Sequence, residues 1–116
     1  MLTLPKPNKD IVIPIYDGRV ILYTNRQKFI TALRAVEGPE DDDVATCLGM
    51  CLPTRNEEGS RLYILGWFDG KAQTLVHEVG HLTLFVLGTA GIEPRDSQGE
   101  TMCYLLDYLF GRLTAK

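Results

Sequence analysis

Two histidines and a glutamate share one short apolar stretch, Thr74-Leu75-Val76-His77-Glu78-Val79-Gly80-His81-Leu82. Positions 77 and 81 are four apart, so on an α-helix they lie on one face, about 40° and one turn from each other. Both imidazoles can then point at one metal ion. Glu78 stands about 100° further round, off the ion but within reach of a water bound to it. Zinc hydrolases need this set: two neutral nitrogen ligands on a rigid element, a third protein ligand, a water in the fourth position and a carboxylate to take its proton. The competing account is a pair of core histidines satisfied by backbone groups. Burying two imidazoles and a carboxylate in an apolar helix is costly unless they find partners, and a metal with its water partners all three.

These are the only two histidines in the chain, so the third ligand must be another residue type. Leu84 and Leu87 stand where the metzincin extension has its Gly and His. Downstream candidates are Glu93, Asp96, Glu100, Cys103 and Asp107. Glu93 and Asp96 fall in a turn too close to the end of the first helix to fold back. Glu100 is preferred, because residues 82–99 leave enough chain for the rest of that helix, a reversal and the return of the next. Its rival role is in a capping box, Ser97-x-x-Glu100, with the carboxylate bonded to backbone. Cys103, one turn further on, is the reserve ligand.

The elements that must position these groups follow from periodicity. Ile11 to Tyr16 and Val20 to Tyr23 are β-type runs across Asp17-Gly18, a hairpin signal, with Pro14 demoting the first run to an edge strand or arm. Asn25 is the expected N-cap of a helix to about Val36, with Phe29, Ile30, Leu33 and Val36 on its apolar face and Gly38-Pro39 ending it. Glu40-Asp41-Asp42-Asp43 lacks the ligand alternation and turn glycine of a calcium loop, so it is expected to be a solvated loop. Ala45 to Pro53 and Arg61 to Trp67 form a second expected hairpin. Ala72 to about Leu87 is apolar nearly all round, which predicts a helix with no solvated face. A last helix from about Ser97 to Leu113 has Met102, Leu105, Leu106, Leu109 and Phe110 as its core stripe.

At 116 residues the chain is expected to be a single α+β domain over 1–116, with 1–10 an extended lead-in. A net charge of -3 and scattered Lys and Arg argue against nucleic-acid binding. No apolar run has transmembrane length, and Pro5 and Pro7 interrupt the place of a signal peptide, so no membrane partner and a cytoplasmic location are expected. Cys47 and Cys51, four apart in an expected strand, would be about 13 Å apart, beyond disulfide reach. The thiols are expected to be reduced and packed.

His77-Glu78-Val79-Gly80-His81, followed by Gly91-Ile92-Glu93-Pro94-Arg95-Asp96-Ser97-Gln98-Gly99-Glu100 and Cys103-Tyr104-Leu105-Leu106, resembles the gluzincin pattern of HExxH zinc metallopeptidases. It is more closely similar to small proteins of tailed bacteriophages, in which a strand ending near a Gly-Trp-Phe-Asp-Gly segment, here Gly66 to Gly70, leads into such a helix. The resemblance spans about residues 11–113. It implies a zincin-like fold: a small, mostly antiparallel sheet packed on an active-site helix and a C-terminal glutamate helix. It also implies a Zn2+ ion held by His77, His81 and Glu100, with Glu78 as general base and acid in peptide-bond hydrolysis by a zinc-bound water. Cys103 departs from the pattern, where alanine or a similarly small residue is expected. A polypeptide substrate would add as a strand to a sheet edge, with Arg61 to Trp67 the expected edge. Tyr104 and Tyr108 are oxyanion-donor candidates, with core or rim packing preferred. The alternative is a virion-assembly or host-interaction protein, in the host cytoplasm or virion-associated, that keeps the metal site without proteolysis and closes it with Cys103.

Overall fold

In a computed structural model of the chain, which describes residues 3–38 and 44–116, the first strand stops short of Pro14. Proline has no N–H for a ladder, and strand β1 (Lys9–Val12) accordingly ends two residues before it. Strand β2 (Arg19–Tyr23) runs antiparallel to it, with Lys9 opposite Leu22 and Val12 opposite Arg19. The expected hairpin therefore forms, but its connection is longer than the Asp17-Gly18 pair. The Ile13 N–H donates to Gly18 O at 3.0 Å across the loop.

Helix α1 (Arg26–Ala35) starts as its sequence predicts: Asn25 is extended, and its side-chain oxygen accepts the Lys28 N–H at 2.9 Å. Glu37, with φ 56°, takes the left-handed position at the helix end, and Gly38 N–H donates to Leu33 O at 2.7 Å. The acidic cluster Glu40 to Asp43 lies outside the described residues.

Strands β3 (Gly49–Arg55) and β4 (Arg61–Trp67) form the second hairpin, closed by Asn56, whose side chain accepts the Ser60 N–H at 2.9 Å. Cys51 lies in β3, whereas Cys47 precedes it, and all three cysteines are free. The sheet order is β1-β2-β4-β3, and β4 pairs parallel with β2, which makes the sheet mixed. This order corrects one expectation. Arg61 to Trp67 is an interior strand, buried over Leu62–Gly66, and it offers no edge to a substrate. The edge beside the histidine helix is β3.

Alternation along the strands sends side chains to two cores. Ile21, Tyr23, Leu62 and Ile64 meet Phe29, Ile30 and Leu33 of α1 on one face. Val20, Leu22, Tyr63 and Leu65 meet helices α2 (Ala72–Thr89) and α3 (Glu100–Thr114) on the other. The architecture is thus α+β; among the described residues, α1 packs on one face of the sheet and α2 and α3 on the opposite face. No helix among the described residues is long and apolar enough to cross a membrane.

Candidate metal centre

The start of α2 is fixed by the segment that leaves β4. Trp67 Nε1 donates to Lys71 O at 2.8 Å. Asp69 accepts the Thr74 hydroxyl at 2.6 Å and the Lys71 N–H at 3.0 Å. Those two bonds, Thr74 first, hold the Asp69 carboxyl below its ordinary value. The His-Glu-x-x-His turn follows directly from this anchored end.

Helix α2 then divides by periodicity. Leu75, Glu78, Val79, Leu82, Thr83, Val86 and Leu87 are buried, while Val76, Leu84 and Phe85 are exposed together with His77 and His81. The expectation of a helix without a solvated face is corrected: the sheet and α3 cover one side only. The expectation that both imidazoles are buried is corrected with it. Their exposure also removes the core-histidine account.

His77 Nε2 and His81 Nε2 are 3.2 Å apart, with ring centroids at 4.8 Å and planes at 80°. Two nitrogens bound to one tetrahedral zinc at about 2.0–2.1 Å are separated by about 3.3 Å. The separation therefore matches that of two zinc-bound imidazole nitrogens. The same spacing also suits a hydrogen bond between neutral rings of opposite tautomer.

Glu78 is 8% exposed and packs between α2 and β3. Burial raises its pKa, and the charges of His77 and His81 partly oppose that rise. The close packing depends on Gly49. A Cβ there would lie 3.0 Å from Glu78 Cγ, from Thr74 Cγ2 and from the Gly66 carbonyl oxygen. Cys51, two residues along the same face of β3, has its thiol pushed up to about 12 by burial and then by the Glu78 charge. Gly49 and Cys51 border Glu78, a placement the sequence reasoning gave to neither. The available signal was a glycine interrupting an apolar strand, which marks close approach of another group.

A groove of about 460 Å³ runs between β3 and the first turns of α2, lined by Leu48, Gly49, Thr74, His77 and Glu78 among others. Its β3 wall is a free sheet edge. Phe68 N–H donates to Leu48 O and Asn56 N–H to Ser60 O, so alternation turns Met50, Leu52 and Thr54 toward β4. The peptide groups of Gly49 and Cys51 consequently face outward, and Pro53 interrupts the donor row.

The third ligand is less complete. Glu100 begins α3 and is exposed, and among the described residues no group of three or more His, Cys, Asp and Glu side chains is arranged to hold a metal ion. Cys103 is exposed as well. Glu93 is engaged with Arg95 at 3.0 Å. The capping box is not formed: Ser97 and Gln98 are left-handed at φ 55° and 60°, and Gly99 is the N-cap with no side-chain bond. Tyr104 and Tyr108 line a different groove, with Pro14 and Ile15, and Tyr108 OH accepts from Arg112 at 3.0 Å.

Comparison with protein-family models, with curated proteins and with solved structures finds no match to this chain.

Proposed function

We propose that the chain is a zinc-dependent metallopeptidase of gluzincin-like type on a minimal zincin-like fold. The single observation that carries this reading is the 3.2 Å separation of the His77 and His81 Nε2 atoms, with Glu78 packed one position along the same turn. His77 and His81 would hold the ion, and Glu100 is our assignment for the third ligand. That assignment has the exposed Glu100 carboxylate swing toward the pair when metal binds, since it is not grouped with them. Zinc held there supplies Lewis acidity, acidifying water and polarising a carbonyl.

The chain's own residues supply the rest. The outward peptide groups of Gly49 and Cys51 would bind an extended polypeptide as an added strand, which lays it along the groove past His77 and Glu78. Glu78 would accept the proton of the attacking water and return it to the leaving amine. Desolvation of that carboxylate strengthens it as a base. The proposed substrates are host or virion polypeptides.

The purified protein is expected to carry about one zinc per chain. Glu78→Gln should keep metal and fold while lowering peptide hydrolysis by about 10²–10⁴-fold. No zinc after gentle purification, or unchanged hydrolysis in the variant, would sink the reading. The second reading is an assembly or host-interaction protein with a metal site and no proteolysis. In that case Glu78→Gln leaves the biological role intact.

A further inference from the structure

We infer that the β1–β2 loop and the outer face of α3 form a docking surface for a second copy of this chain, each copy inserting Ile15 into a tyrosine-lined recess of the other. Met102 and Leu106 of α3 face α2, whereas Thr101, Tyr104 and Tyr108 border the β1–β2 loop. The surface thus lies at the β1 end of the sheet, and β3 is the opposite edge. The contact needs neither a metal nor the histidines, and it leaves the β3 groove of each copy open.

The projecting group is Ile15. Tyr16 N–H donates to Pro14 O at 2.7 Å, which closes a three-residue γ-turn with Ile15 at its apex, at φ 70°. For a β-branched residue this backbone is a genuine outlier. The reversal has a use within the monomer, since it brings Tyr16 back against the core that contains Ile11 and Ile13. That use does not call for isoleucine, because glycine or asparagine would make the same turn with less strain. The Ile15 side chain is 96% exposed, so burial within the chain does not offset the strain.

The socket stands beside it. A recess of about 240 Å³, with Ile15 on its rim, is walled by Tyr16, Thr101, Tyr104, Leu105 and Tyr108. Tyr104 is 71% exposed. Arg112 marks one end: its guanidinium donates to Tyr108 OH at 3.0 Å and lies 5.9 Å from that ring. Exposed tyrosine and arginine are the side chains that most often carry the energy of a protein interface.

The occupant follows from the adjacency of knob and socket. A two-fold contact sets one patch against itself, so it needs a projecting group and a matching recess side by side on the same surface. Charge agrees with that arrangement. Asp17, exposed and two residues beyond Ile15, would face the second copy's Arg112, also exposed, and symmetry repeats the attraction. The stretch of α3 from Thr101 to Arg112 is only about 17 Å long. The contact therefore belongs at the weak end of the interface size range.

Sedimentation equilibrium of the full chain, from about 1 µM to about 1 mM, should show a reversible monomer–dimer equilibrium. Ile15→Gly should weaken dimerisation by at least about tenfold. Its melting temperature, read at a concentration where the native chain is monomeric, should stay level or rise, because glycine accepts this backbone without strain. An isoleucine that served only the monomer would leave the dimerisation constant unchanged. Asp17→Arg and Arg112→Asp should each weaken dimerisation by about tenfold at low salt, and the double variant should recover most of the loss. Recovery is a readout that a merely misfolded variant cannot give. A chain that stays monomeric to about 1 mM overturns the proposal, whatever else the patch binds. A dimer indifferent to Ile15→Gly, or a charge exchange without recovery, overturns it as well.

Discussion

The face of α2 that carries His77 and His81 and the turn that opens α3 were both expected to supply metal ligands, yet they are built in different ways. The first is a local product: one helix, started by Asp69 and Trp67, sets two imidazoles 3.2 Å apart with no help from distant chain. The second depends on everything between residues 82 and 99: the end of α2, a reversal at Gly91 and three successive left-handed residues, Ser97, Gln98 and Gly99. Left-handed backbone costs non-glycine residues free energy, so Ser97 and Gln98 place strained backbone just before Glu100. A half-site preformed on a helix, completed by a movable carboxylate, would couple metal binding to the order of α3.

The largest effect should come from breaking the preformed half. His81→Ala leaves one imidazole and should reduce zinc affinity by more than the about 10–100-fold typical of losing an outer-shell partner. Competition with a chelator measures it, and retention of zinc by the variant would exclude α2 as the centre. Glu100→Ala strikes the other half. A loss in zinc affinity that also exceeds this outer-shell figure of about 10–100-fold, together with slower amide exchange over 96–100 on adding zinc to the native protein, would make α3 part of the site. Unchanged affinity and exchange would leave the histidine pair to work with a ligand from elsewhere.

The same contrast governs what could be read in advance. Features set by near neighbours were legible: the Asn25 cap, both hairpins, the apolar stripe of α3 and the i, i+4 histidines. Features set by long-range pairing were not. Nothing local in Arg61 to Trp67 says that β4 will pair parallel with β2 and become interior, so the substrate edge was assigned one strand too far in. Helix α2 looked fully buried because Val76, Leu84 and Phe85 are apolar, but a small domain has too little sheet to cover both of its sides. Ser97-x-x-Glu100 matched a capping box by residue type, yet Gly99 took the cap in a left-handed conformation and moved the helix start past Ser97.

Gly49→Ala asks whether the preformed half also depends on β3. The added methyl would press on Glu78, Thr74 and the Gly66 carbonyl, and backbone cannot yield as a side-chain tip can. A destabilisation of about 1–3 kcal/mol in denaturant unfolding is expected, with hydrolysis falling more than zinc affinity because the pressure lands on Glu78. Equal losses in both would mean that the substitution disturbs the whole helix.

The smallest effect uses the cysteines as reporters of the two regions. Cys51 faces Glu78 across β3, and its thiol, pushed up to about 12 by burial and by that carboxylate, is almost wholly protonated at pH 8. Cys103, one turn into α3, is exposed. Iodoacetamide should therefore label Cys103 early and Cys51 last, as read by mass spectrometry of timed digests. Glu78→Gln should quicken Cys51 slightly, because only the smaller of its two perturbations is removed. Adding zinc then separates an open centre from a closed one. If Cys103 labels at the same rate with and without the ion, the fourth position is free for water. If zinc protects it, the thiol has become a ligand and the centre is structural.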